Sequence, residues 1–188
     1  MLPPDPLHRT RAELDAGLDH VRRSPGQDGE VRLLVRRPRT GAREVMGEGE
    51  LTPADGLVGD NWRTRGNLKK GPSDPAVQIT VMNARAAALV AVEEDRWPLA
   101  GDQIYVDFDI SIENLPAGTR FAVGTGLLEV SAEPHTGCAK FVSRFGVEAM
   151  KFVNSPAGRA LNLRGINARV IEPGVVRVGD RMRKLSAP

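Results

Sequence analysis

The sequence predicts a mainly β protein, a closed or nearly closed β-barrel with a few peripheral helices. Several short runs alternate apolar and polar residues, glycine and proline punctuate the gaps between them, and only a few stretches show a helical period.

From Thr10 to Arg23, Leu14, Leu18 and Val21 recur at helical spacing and Ser24-Pro25-Gly26 supplies a stop, which predicts a short peripheral helix. Val31 to Val35 and Arg43 to Leu51 read as strands, and Pro38 to Gly41 between them has the composition of a turn, so a hairpin is expected. Gly56 to Gly71 is rich in glycine and charge and has no apolar period, which predicts a long surface loop. Ala76 to Val81 reads as a buried strand. Asn83 is placed to cap an alanine-rich helix running to about Asp95, with Trp97-Pro98 ending it.

Ile104, Val106, Phe108 and Ile110 alternate with Tyr105, Asp107 and Asp109, the signature of a strand buried on one side, and Phe121 to Val130 folds back around Gly124-Thr125-Gly126. A helix is expected from about Ala139 to Asn154, with Phe141, Val142, Phe145, Ala149 and Phe152 on its apolar face and Gly146 as the point where it can split. Ser155, a natural N-cap, and Pro156 begin a further short helix. Ile166, Ala168 and Val170 alternate, Pro173-Gly174 fits the central positions of a type II turn, and Val176 and Val178 resume the alternation, so the chain is expected to close with a hairpin.

With 188 residues one domain is expected: an extension with a short helix over residues 1–29 and the barrel over 30–188. The first thirty residues hold no apolar core of a signal peptide, and the longest apolar stretch, Ala86 to Val92, is far short of the ~18 residues of a membrane span, so no membrane is expected. The sole cysteine, Cys138, has no intramolecular disulfide partner, which points to the cytoplasm. The net charge of +2 is spread rather than clustered and aromatics make up 4% of the chain, which argues against nucleic acid.

Chemistry centres on Pro134-His135-Thr136-Gly137-Cys138-Ala139-Lys140, where a β segment meets a helix start and places the thiol at the positive end of a helix dipole. Lys140, and Arg144 one turn on, add positive charge and favour thiolate, the form that attacks and binds soft metals. Two readings of Cys138 stand open: an active thiolate, or a small hydrophobe in the core. His135 is a candidate to orient the thiol or act as its base, or else an ordinary loop residue. His-x-x-Cys alone lacks the three or four protein ligands of a zinc site. Arg63, Arg65, Lys69 and Lys70 are candidate phosphate ligands in the long loop, against the plainer reading of a solvated loop. In Arg164-Gly165 the glycine permits close backbone approach and the arginine is a candidate anion ligand, although a structural turn explains the glycine equally well.

In order, Gly56-Leu-Val-Gly-Asp60, Gly101-Asp-Gln-Ile-Tyr-Val106, Leu115-Pro-Ala-Gly118, His135-Thr-Gly-Cys-Ala-Lys-Phe141, Leu163-Arg-Gly-Ile166 and Gly179-Asp180 resemble the MOSC domain family, from about Gly56 to Lys184. The resemblance implies a MOSC-type β-barrel like the C-terminal domain of molybdenum-cofactor sulfurases. It implies that Cys138 carries sulfur as a persulfide or, as in the related amidoxime-reducing enzymes, ligates molybdenum held by a pterin dithiolene. Lys140, Arg144, Arg164 and His135 would then hold the anionic molybdenum cofactor (molybdopterin), and the substrate would be a small N-hydroxylated molecule. Some stand-alone relatives carry histidines where this loop reads Trp62 to Gly71. The sequence shows no pyridoxal-phosphate-dependent desulfurase domain, so sulfur or electrons are expected from a separate donor protein. The alternative is a non-catalytic module for an anionic ligand or a protein partner, with Cys138 inert in the core. A cysteine hydrolase ranks last, because only His135 offers itself as base.

Overall fold

The computed structural model describes residues 7–64 and 73–185. In chain order the strands are β1 (Asp28–Arg36), β2 (Glu44–Met46), β3 (Glu48–Thr52), β4 (Gly56–Leu57), β5 (Ile79–Asn83), β6 (Ile104–Asp107), β7 (Arg120–Val123), β8 (Gly126–Val130), β9 (Ile166–Glu172), β10 (Gly174–Arg177) and β11 (Arg181–Lys184). The helices are α1 (Arg11–Arg22), α2 (Ala84–Ala91), α3 (Ala139–Val153) and α4 (Pro156–Ala160), with 3-10 turns at Pro75–Val77 and Glu94–Ala100.

Strands β11, β7, β8, β9, β5, β6 and β1 are hydrogen-bonded in that order, and β1 pairs again with β11, closing a barrel with β2 appended to β1. A small second sheet, β10-β3-β4, lies beside it. Strand β1 reaches both roles by its length: Asp28 to Glu30 faces β11, the middle faces β6 across a register shift at Val31/Leu33, and Leu34 to Arg36 faces β2. A parallel pair needs a crossover, and α2 with the Glu94–Ala100 turn supplies the one between β5 and β6.

Alternate side chains divide between two cores. Val81, Ile104, Val106, Phe121, Leu128 and Met182 fill the barrel. Met82 and Tyr105 point the other way, into a layer with Leu14, Val90, Phe145 and Phe152 of the helices. Strand β5 is therefore buried on both faces, as is Tyr105, whose hydroxyl donates to the Trp97 carbonyl at 2.7 Å. The expectation of a buried β5 holds, whereas that of one-sided burial for β6 is corrected: Tyr105, the alternating partner of Ile104 and Val106, is an aromatic buried under the helices.

Capping chemistry places the helices where the sequence puts them. Thr10 and Glu13 form a reciprocal capping box on α1, the Asn83 side chain accepts from the Ala86 N–H, and Ser155 caps α4 with Pro156 at its first position. Gly146, at φ 86°, breaks α3 as its position suggests. Helix α2 ends earlier than expected, at Ala91, and Trp97-Pro98 lies inside the following 3-10 turn.

Two further expectations are overturned. Glu172 and Gly174 do not turn a hairpin: β9 pairs with β5 and β8, whereas β10 crosses to β3. Gly174 has no positive φ, as a type II turn requires; it is glycine because a Cβ there would lie 2.3 Å from the Gly126 nitrogen. The start of the supposed surface loop is also buried: Gly56 and Leu57 form β4, Trp62 is covered and its indole donates to the Asp74 carbonyl at 3.2 Å.

Candidate functional site

The segment from Ser131 to Cys138 leaves β8 and enters α3, tied down along its length. The Ser131 N–H donates to the Asn167 carbonyl at 2.8 Å, and Asn167 Nδ2 donates to the Glu133 carbonyl at 3.0 Å. At the far end of α3, Asn154 accepts from the Gly137 N–H at 2.9 Å and donates to the Gly137 carbonyl at 3.1 Å. A side chain at 137 would press on Val153 and Asn154, so glycine allows the loop to lie this close.

Cys138 caps α3, its carbonyl accepting from the Phe141 and Val142 N–H groups at 2.9 and 3.1 Å, and it is exposed. The reading of a cysteine inert in the core is thereby overturned. Partial burial pushes the thiol pKa up. The N–H groups of Phe141 and Lys140, then the charges of Arg164 and Lys140, outweigh it and hold the thiol below its ordinary value.

Beside Cys138 opens a cleft of about 670 Å³. His135, Lys140, Arg144 and Arg164 line it with Cys138, so every site residue chosen from the short C-terminal motifs meets there. Arg63 does not; it pairs with Asp55 at 2.9 Å on the surface. Arg65, Lys69 and Lys70 lie outside the described residues. Arg37, Arg39 and Arg43, which the sequence offered only as hairpin residues, complete the basic lining, and among the described residues no Asp or Glu lines the cleft.

The arginines are organised by one backbone stretch. A helix end leaves carbonyls without partners, and at the end of the Glu94–Ala100 turn four consecutive carbonyls each accept from a different arginine. Pro98 takes Arg43 Nε at 3.2 Å, Leu99 takes Arg144 Nη1 at 2.6 Å, Ala100 takes Arg164 Nη2 at 2.7 Å and Gly101 takes Arg37 Nη1 at 2.8 Å.

Two of the four are neutralised. Arg37 is buried against Asp60, with Nε and Nη2 at 2.8 and 3.0 Å from its two carboxylate oxygens. Arg164 Nη1 donates to fully buried Asp102 at 2.6 Å, and its guanidinium lies 5.2 Å from the centre of the Phe141 ring. The other Asp102 oxygen stands 3.3 Å from His135 Nδ1. Gly165, at φ 107°, makes this arrangement possible: a Cβ would lie 2.7 Å from the Val81 carbonyl, 3.1 Å from that Asp102 oxygen and 3.2 Å from that imidazole nitrogen. Asp102 and Asp60 are site residues that the sequence pattern does not single out, although both stand inside the motifs Gly101–Val106 and Gly56–Asp60.

The other cations are uncompensated: among the described residues no carboxylate pairs with Arg39, Arg43, Lys140 or Arg144. Burial, then the charges of Arg144 and Arg37, pull Arg43 below its ordinary value. Among the described residues no cluster of three or more His, Cys, Asp or Glu side chains is placed to hold a metal ion.

Residues 93–183 match the family model of the MOSC domain. The fold is similar to that of the YuaD protein from Bacillus subtilis, with a TM-score of 0.59 at 17% identity over 86% of this chain and 97% of that one. YiiM from Escherichia coli gives 0.54 at 20% identity over 85% of this chain and 71% of that one. A hypothetical protein gives 0.57 at 21% over 85% and 70%. No curated protein matches the chain.

Proposed function

We propose that this chain, which carries a MOSC domain, binds a molybdenum cofactor in the basic cleft, with the Cys138 thiolate as the protein's sulfur ligand to the metal. The MOSC family is generally linked to binding of that cofactor. The observation that carries the reading is an exposed thiol, held below its ordinary pKa, at the edge of a cleft lined by cations and by no carboxylate among the described residues.

The residues present fit the group. Thiolate is a soft donor suited to a sulfur-rich metal site, and the surplus charge of Lys140 and Arg144 suits a phosphate tail. Arg164 and His135, both engaged with Asp102, shape the floor on which the cofactor would rest. Arg164 also lowers the thiol pKa through its charge. The bound cofactor would supply redox and oxygen-transfer chemistry toward a small N-hydroxylated substrate, with electrons delivered by a separate protein. The exposure of Cys138 favours one second reading: a persulfide carrier, whose thiol a separate sulfur donor must reach.

The test is elemental and pterin analysis of protein from a host that makes molybdenum cofactor, comparing wild type with Cys138→Ser. Near-stoichiometric molybdenum and pterin in wild type, lost in the variant, is the expected result. Absence of both from wild type sinks stable cofactor binding; a persulfide on Cys138 detected by mass would then select the carrier.

A further inference from the structure

We propose that Arg43 and Arg144 form a dedicated subsite for a phosphate-class oxyanion, built over Gly101 in the lining of the cleft. The inference rests on reading the cleft as an anion site, but on neither molybdenum nor Cys138.

The two guanidiniums converge on one point. Arg43 Nη2 lies 3.5 Å and Arg144 Nη1 3.9 Å from the place where a side chain at 101 would begin, and Gly101, at φ 92°, leaves that place open. They come from distant parts of the chain, the turn after β1 and the first half of α3, yet adjacent carbonyls, Pro98 and Leu99, aim them at each other. Like charges this close repel, and the Pro98 and Leu99 carbonyls together with partial exposure to water offset that repulsion.

Unspent donors make the pair a receptor rather than a structural knot. Arg43 spends Nε on Pro98 and Nη1 on Ala42, and Arg144 spends Nη1 on Leu99. Arg43 Nη2 and Arg144 Nε and Nη2 make no hydrogen bond to the described residues, and no carboxylate among them pairs with either side chain. The contrast with Arg37 and Arg164, on the neighbouring carbonyls, is sharp: each of those has a buried aspartate. A group with several anionic oxygens answers two guanidiniums with forked donors, and exposed Arg39 in the same lining adds long-range attraction. The depressed pKa of Arg43 agrees with a cation waiting for an anion.

The probe is inorganic phosphate, titrated at pH 8 into metal-free protein by calorimetry, with sodium chloride at matched ionic strength as control. Saturable one-to-one binding is expected, weakened about tenfold by Arg43→Gln and by Arg144→Gln, the loss of one charge-assisted contact. Arg43→Lys restores part of it. Arg169→Gln, outside the cleft, binds as wild type does. No binding beyond the chloride control, or undiminished binding by a folded Arg43→Gln protein, overturns the proposal. Slower phenylglyoxal modification of Arg43 and Arg144 in the presence of phosphate, mapped by mass, checks it in wild type, and equal rates count against it. Phosphate bound only by cofactor-free protein assigns the subsite to the cofactor's own phosphate; phosphate bound also by loaded protein assigns it to a substrate.

Discussion

Four arginines hang on four successive carbonyls, yet they divide into two kinds. Arg37 and Arg164 form the floor of the cleft, buried and each matched to a buried aspartate; Arg43 and Arg144 form its wall, partly exposed and unmatched. A buried charge must be paired because losing its partner strands it in low dielectric, whereas a half-exposed one keeps water as an alternative. The floor pairs therefore belong to folding and the wall pair to binding, although all four touch the same turn.

Asp102→Ala breaks the comparison hardest. It strands Arg164 and removes the carboxylate beside His135, so unfolding should cost about 3–5 kcal/mol less, a fall of roughly 10 °C in Tm. Arg144→Gln, which gives up one bond to the Leu99 carbonyl, should move Tm by no more than about 2 °C. Equal losses in the two variants, measured by thermal unfolding, would erase the division between floor and wall.

Asn154→Ala sharpens it from the side of the thiol. The two bonds from Asn154 to Gly137 fix the approach to Cys138, and their loss should cost about 1–2 kcal/mol in chemical denaturation. The thiol should also lose some of its activation, because the Phe141 and Lys140 N–H groups depend on where that loop enters α3. A destabilised variant with an unchanged pH profile of alkylation would show that the loop's anchor and the thiol's environment are independent.

What the sequence made legible was local. The caps at Asn83 and Ser155, the break at Gly146 and the run from His135 to Lys140 each carry their signal within a few residues, and each stands where it was read. Long-range pairing was not legible. Gly174 looks like a turn residue, yet its small size serves a close approach to Gly126. Arg37 and Arg43 look like hairpin charges until the fold brings them to Pro98 and Gly101. Tyr105 shows polar periodicity by its hydroxyl but is buried by its ring, since one carbonyl satisfies the polar end. A signal for the floor pairs did exist: Asp60 and Asp102 each follow a glycine inside a quoted motif, where a carboxylate at a tight turn invites a buried cation.

The smallest effect concerns Lys140, whose exposed ammonium acts on Cys138 through charge alone beyond its backbone N–H. The depressed thiol pKa keeps thiolate populated as pH falls below the ordinary thiol value, and thiolate is lost only as pH drops through the lowered one. Lys140→Gln keeps the N–H and removes the charge, so the pKa should rise part of the way back. Iodoacetamide alkylation near pH 7 should then slow by about 1.5- to 5-fold, the scale of one exposed charge. Near pH 10 both proteins are thiolate and their rates should converge, and high salt should narrow the gap at pH 7 by screening. If the gap persists in high salt, Lys140 acts through the position of α3 rather than through its charge, which leaves Arg164 as the side-chain charge that tunes the thiol.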